Sequence, residues 1–147
     1  MYEIKKVTSE KELAACSVVR KRVFGDEEKA TETLYVIDEE DRLPETKNFL
    51  LKLDGKFIGT ARYIKYDAHT VKLQRMAVIK NYRGRGLASK PLSEIEKDIL
   101  KEGYSKMIFD SASSAKGFYE KNGYKIISPE FYEDSRPHIT MMKKFPC

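Results

Sequence analysis

The sequence predicts an α+β fold, a single domain over residues 1–147 with a mixed, mostly antiparallel sheet of about six to seven strands flanked by about four helices. Three observations carry that prediction. Asp54-Gly55 separates two strand-like runs, a strong two-residue hairpin signal. After Ile79 the apolar residues change from alternation to helical spacing. The chain has 147 residues with 41% apolar content, including nine Tyr and seven Phe, enough for one hydrophobic core.

In chain order, Tyr2 to Val7 alternates enough for a short first strand. Ser9-Glu10-Lys11-Glu12 fits a capping box, in which hydroxyl and carboxylate satisfy the first amides of a helix. Leu13, Cys16, Val19, Val23 and Phe24 fall near helical spacing, which predicts a helix to about Val23. Residues 25–47 lack a clear period and read as an acidic loop segment with at most a short helix. Asn48 to Leu53 and Lys56 to Tyr66 form the hairpin, and Val71 to Ile79 extends it into a meander. Asn81 to Gly86 is a glycine-containing turn, and Leu87, Leu92, Ile95 and Ile99 mark one face of the following helix, closed by Gly103. Pro91 is expected to kink or delay its first turns. Lys106 to Asp110 reads as a buried strand, and Ser113 to Asn122 as a short helix stopped by Gly123. Tyr124 to Ile127 and Ile139 to Phe145 close the sheet, separated by a polar loop containing Pro129 and Pro137.

Composition excludes some functions and leaves others open. Two cysteines, Cys16 and Cys147, make no disulfide framework, and with two histidines no metal site is expected. No apolar run approaches the roughly 20 residues that span a bilayer, and the first residues lack the apolar stretch of a secretion signal. A cytoplasmic protein without a membrane partner is therefore expected. The formal charge is +5, divided between −6 on residues 25–47 and +11 on the rest. A basic body favours anionic ligands, and the acidic stretch suits either a cationic substrate or a solvated loop. Charge alone does not name the partner.

Chemistry concentrates in Leu73-Gln74-Arg75-Met76-Ala77-Val78 and the following Arg83-Gly84-Arg85-Gly86-Leu87-Ala88. A strand, a glycine-containing turn and a helix start aim several backbone amides at one point, where the helix dipole also favours an anion. Two glycines let the backbone approach a phosphate closely, and Arg83 and Arg85 add charged donors. A P-loop fails, because Leu87 and Ala88 stand where it requires Lys and Ser or Thr. A dinucleotide fingerprint fails at Ser89, although Asp110 sits where a ribose-binding acid would.

The remaining pattern, Arg83-x-x-Gly86-x-Ala88, resembles the pyrophosphate motif of the GNAT superfamily of acyl-CoA N-acyltransferases. Ala115-x-x-Phe118-Tyr119-Glu120-Lys121-x-Gly123-Tyr124 resembles the family's later motif. The tail Pro137-His138-Ile139-Thr140-Met141-Met142 and the early Val19-Arg20-x-x-Val23-Phe24 are similar to a small bacterial ElaA-like branch. The resemblance implies a sheet splayed between its fourth and fifth strands, with acetyl-CoA entering there as acyl donor. It implies pantetheine beside Met76, Ala77 and Val78, and pyrophosphate on the amides of Gly84 to Ala88. It makes Tyr119 the acid for the departing thiolate, with His138 as the base to test, since imidazole titrates near working pH. Gln74 stands where related sequences often carry a glutamate, and an amide is no useful base. Gln74 and Phe24 are assigned to the acceptor side. Ala112 replaces an asparagine common in the family. The acidic segment is expected to cover or line the acceptor cleft.

The acceptor is an amine on a small molecule or a protein, and a homodimer suits such folds. Two other classes stay open: an acyl-CoA sensor without turnover, and a basic nucleic-acid-binding domain, against which the absence of aromatics interleaved on a basic helix counts. The cradle reading makes a direct prediction. Gly86→Val abolishes acetyl-CoA binding in a calorimetric titration while the circular dichroism spectrum is retained; undiminished binding removes the cradle.

Overall fold

In the computed structural model, which describes residues 2–29, 35–82, 89–133 and 135–145, eight strands and three α-helices form among those residues. They are β1 (Tyr2–Lys6), α1 (Glu10–Arg20), β2 (Lys47–Leu53), β3 (Lys56–Lys65), β4 (Thr70–Val78), α2 (Ser89–Lys101), β5 (Lys106–Ala112), α3 (Lys116–Lys121), β6 (Lys125–Ile126), β7 (Phe131–Glu133) and β8 (Arg136–Lys144). The strands follow the order β1-β2-β3-β4-β5-β8-β6, with β7 on β8. The β1–β2, β2–β3, β5–β8, β6–β8 and β7–β8 ladders are antiparallel, whereas β4–β5 has three parallel pairs: Thr70 with Lys106, Val71 with Met107 and Lys72 with Ile108. Among the described residues no helix is long and apolar enough to cross a membrane.

Contacts divide the chain into two compact units, Met1–Ile64 with Gln74–Glu96, and Lys65–Leu73 with Lys97–Cys147. In the first, Asp54 and Gly55 take φ of +48° and +84°, as the tight turn between β2 and β3 requires. Ser9 caps α1 through the Glu12 amide at 3.1 Å. The Glu12 carboxylate reaches back to the amide of Thr8 at 2.8 Å, one residue further than a simple capping box predicts. The helix does not stop near Val23: Lys21–Glu27 continues it as a π-helix, closed by Glu28 N–H donating to Val23 O. The wider turn keeps Val23 buried. Residues on both faces of β2 and β3 are buried. By alternation Phe49 and Leu51 share one face, where with Ala61, Met76, Ala77, Val78 and Pro91 they line an apolar pocket. Gly59 sits in its wall because a Cβ there would lie 3.1 Å from the Ala77 carbonyl oxygen. Asn48 and Leu50 take the other face, which Arg20 reaches from α1.

In the second unit β5 runs antiparallel to β8 over seven register pairs, from Lys106 with Lys144 to Ala112 with His138. β7 and β6 follow one another along the other edge of β8, at Arg136–His138 and at Met141–Met142. Met107, Phe109, Tyr124, Ile139, Met141 and Phe145 are buried here. Gly103 and Gly123 take positive φ at the ends of α2 and α3, as predicted.

Three sequence expectations change. The loop between Pro129 and Pro137 contains β7, so the strand count rises; Pro137 is tolerated as the second residue of β8, where a missing amide costs least. Pro91 is the third residue of α2, in the first turn, whose amides have no helical partner, so no kink is required. Ser113–Ala115 is a 3₁₀ turn ahead of α3, and the described part of the acidic segment adds no α-helix, holding the end of the π-helix and a 3₁₀ turn at Glu40–Arg42, so α-helices are fewer than expected.

Candidate active site

A charged cluster lies under α1 in the first unit. Leu13, Cys16 and Arg20 lie on the buried stripe of that helix, which Val23 continues in the π-helix, so Arg20 occupies an apolar position and is wholly buried. Its guanidinium donates to both oxygens of Asp41, at 3.1 and 3.0 Å, and to Asn48 Oδ1 at 2.8 Å. Asn48 is the register partner of Arg62 across β2 and β3. Arg62, also wholly buried, donates to Asp38 Oδ1 at 2.7 Å and pairs with Asp41 at 3.0 Å. From Nε and Nη2 it donates twice to Gln74 Oε1, at 3.1 and 2.8 Å. Burial alone would push the Asp41 carboxyl up; bonds from Arg20, the Asp38 amide and Arg62 outweigh it and hold the pKa well below the usual carboxylate range.

β4 departs from regular strand geometry at this cluster. Arg75 has φ +54°, a left-handed conformation in mid-strand for a residue with a side chain. In a regular strand Gln74 and Arg75 would point to opposite faces. Here Gln74 bonds Arg62 and Arg75 pairs with Asp38 at 3.8 Å, so both side chains join one cluster. That is the signature of a bulge, which re-aims the residues after it. Those residues are Met76, Ala77 and Val78, which line the apolar pocket.

Other predicted site residues fall as follows. Arg83, Gly84, Arg85, Gly86, Leu87 and Ala88 lie outside the described residues. Phe24 is partly buried and packs on the cluster of Val19, Val23, Ala77 and Ile79. Glu27, from the acidic segment, accepts the Lys80 amide at 3.2 Å. In the second unit Tyr119 packs on Phe109, Phe118 and Tyr124, with ring centroids 4.5, 5.0 and 6.0 Å away. Burial raises its phenol pKa above the ordinary value. His138 stacks on Phe131, and its Nδ1 lies 2.8 Å from the Arg136 carbonyl oxygen. A carbonyl only accepts, so Nδ1 is the donor in this contact, and in the neutral ring Nε2 is then the acceptor.

The family model of the acetyltransferase (GNAT) domain matches residues 9–145. The chain belongs to the GNAT acetyltransferase family. YyaT of Bacillus subtilis (strain 168) is 34% identical over 142 residues, covering 96% of this chain and 95% of its own. The crystal structure of Escherichia coli ElaA shares the fold at a TM-score of 0.88 and 21% identity, covering 98% of this chain and 100% of that one. A GNAT family acetyltransferase from Elizabethkingia anophelis, solved with acetyl-CoA bound, shares it at a TM-score of 0.73 and 15% identity, covering 98% of each chain.

In this GNAT chain the arginine–carboxylate cluster is what sequence reading missed. Arg20 and Arg62 look like surface residues until their neighbours are read: Arg20 stands in the apolar helical stripe, and Arg62 lies within the buried run Ile58–Tyr63. Part of the acidic segment is paired internally. Asp38, Glu40 and Asp41 pair with Arg62, the Glu40 contact being 3.6 Å, so their charge is compensated within the protein. Removing one partner of a buried pair leaves an uncompensated charge, so Asp41→Ala lowers stability by about 3–5 kcal/mol in urea unfolding. The folded pKa of Asp41 lies below the unfolded one, so its contribution is complete above about pH 4 and is lost as pH falls below that. The wild type therefore loses stability relative to Asp41→Ala on acidification; a pH-independent difference refutes the pairing.

Proposed function

We propose that the protein is an N-acetyltransferase that moves the acetyl group of acetyl-CoA to a primary amine within one ternary complex. The observation that carries this reading is the family match over residues 9–145. The donor is assigned to the strip Met76–Val78 and to the turn at Arg83, Gly84, Arg85, Gly86, Leu87 and Ala88. Support comes from the bulge that redirects β4 at that strip and from its apolar pocket. The acceptor nitrogen loses a proton, since an amine of pKa about 10 is mostly charged at neutral pH. It then attacks the thioester carbon, the C–N bond forms and the C–S bond breaks. The sulfur leaves as a thiolate and takes a proton, giving the amide and free CoA. A backbone amide near Val78 is assigned to the oxyanion.

Tyr119 is assigned the proton for sulfur. A phenol whose pKa is raised by burial stays protonated and has a proton to give. His138 Nε2 is assigned the amine proton, supported by the tautomer that the Arg136 carbonyl selects. One observation favours a second reading, an acyl-CoA sensor without turnover: the Gln74 carbonyl at the usual base position is committed to Arg62.

Thiol release from acetyl-CoA against a panel of amines, with calorimetry of acetyl-CoA binding, separates the two. Turnover supports transfer, and tight binding without thiol release supports the sensor. Tyr119→Phe lowers kcat about ten- to a thousandfold with little change in acetyl-CoA affinity; an unchanged kcat removes the phenol from the mechanism. His138→Ala abolishes the acidic limb of the pH–rate profile, and a limb that persists rejects it as the base.

A further inference from the structure

Three arginines enter the cluster described above, and two are held by hydrogen bonds, although Arg20 Nε is also buried without an acceptor. Arg20 and Arg62 each donate three side-chain hydrogen bonds. Arg75 differs. Among the described residues its guanidinium donates no hydrogen bond, and its Nε is buried without an acceptor. Its ion pair, to Asp38 Oδ2, spans 3.8 Å, beyond hydrogen-bond range. Asp38 is already engaged through Oδ1, which accepts from Arg62 and from the Asp41 amide. Burial, and then the neighbouring Arg62 charge, lower the Arg75 pKa from its ordinary value, as befits a cation in a place short of negative charge.

Gln74 adds donors beside it. Its Oε1 faces the Arg62 fork, so its Nε2 carries two N–H groups on the other side of the amide, and no described residue accepts from them. The bulge brings these two neighbouring side chains to the same cluster, immediately before the strip assigned to the acyl donor. One strand residue rises only about 3.3 Å, so a group held by Arg75 lies within a small molecule's length of that strip.

A planar guanidinium fork matches a carboxylate, and the adjacent amide offers it a further donor. Resting on the acyl transfer proposed above, we propose that Arg75 and the Gln74 amide bind a carboxylate of the acceptor, which is an amino acid or a similar amine bearing a carboxylate. A polyamine would meet arginines here, because Asp38, Glu40 and Asp41 are already paired.

The test compares matched amines in the thiol-release assay: phenylalanine, phenylalaninamide and phenethylamine; alanine, alaninamide and ethylamine; then the other common amino acids beside their amides, with O-phosphoethanolamine as a phosphate-bearing amine. At least one free acid is expected to exceed its amide in kcat/KM by about tenfold or more. Arg75→Gln brings that ratio toward one, chiefly by raising KM for the acid, and Arg75→Lys restores part of it. Acetyl-CoA affinity stays within about twofold in both variants, since the donor strip lies outside the Arg75 side chain. Amides used as well as acids, a preference that survives Arg75→Gln, or O-phosphoethanolamine surpassing every carboxylate overturns the proposal. Turnover without an acid preference rejects the carboxylate site alone, whereas failure to bind acetyl-CoA rejects the acyl-transfer reading. Titrating the same amines into the CoA-saturated protein reads the site without turnover. Acid binding that Arg75→Gln abolishes supports it, and equal binding of acid and amide overturns it.

Discussion

A guanidinium with no access to water must find an acceptor for its donors inside the protein, and Arg62 does so from three directions. Asp38 and Asp41 come from the acidic segment, and Gln74 comes from β4. Asp41 in turn binds Arg20 on α1, and Arg20 binds Asn48 on β2. A helix, three strands and a connecting segment are thus tied through charges that would be costly apart. Buried ion pairs contribute little net stability compared with well-packed apolar residues. Their effect here is to fix residues 38–41 against both arginines.

The same cluster gives the bulge in β4 a purpose. A left-handed residue within a strand is strained, and such strain persists where the surroundings over-determine it. Gln74 is pinned by two bonds from Arg62, while Arg75 pairs with Asp38 across a longer gap. The residue ahead of the irregular one is thus held by two hydrogen bonds, and Met76–Val78 leave it in a direction that regular alternation would not give them.

Features governed by neighbouring residues were legible in the sequence. Asp54-Gly55, Gly103 and Gly123 announce their turns because few residues tolerate positive φ, and Leu92, Ile95 and Ile99 show the buried face of α2. β7 escaped because three residues between prolines carry too short a pattern, and the π-helix because spacing alone does not mark a widened turn. The family motifs pointed to Tyr119 and His138, though not to the aromatic packing around one or the carbonyl beside the other. Arg20, Arg62 and Arg75 were hardest to foresee. A charged residue reads as surface unless its distant partners are known, and those partners lie 12 to 37 positions away.

The bond from the Lys80 amide to Glu27 links the end of the π-helix to the chain just before residues 83–88. Residues 25–47 are therefore no portable cassette. Exchanging that stretch for a relative's would also exchange the carboxylate that holds the Lys80 amide, so such a graft has to carry Glu27 along unchanged.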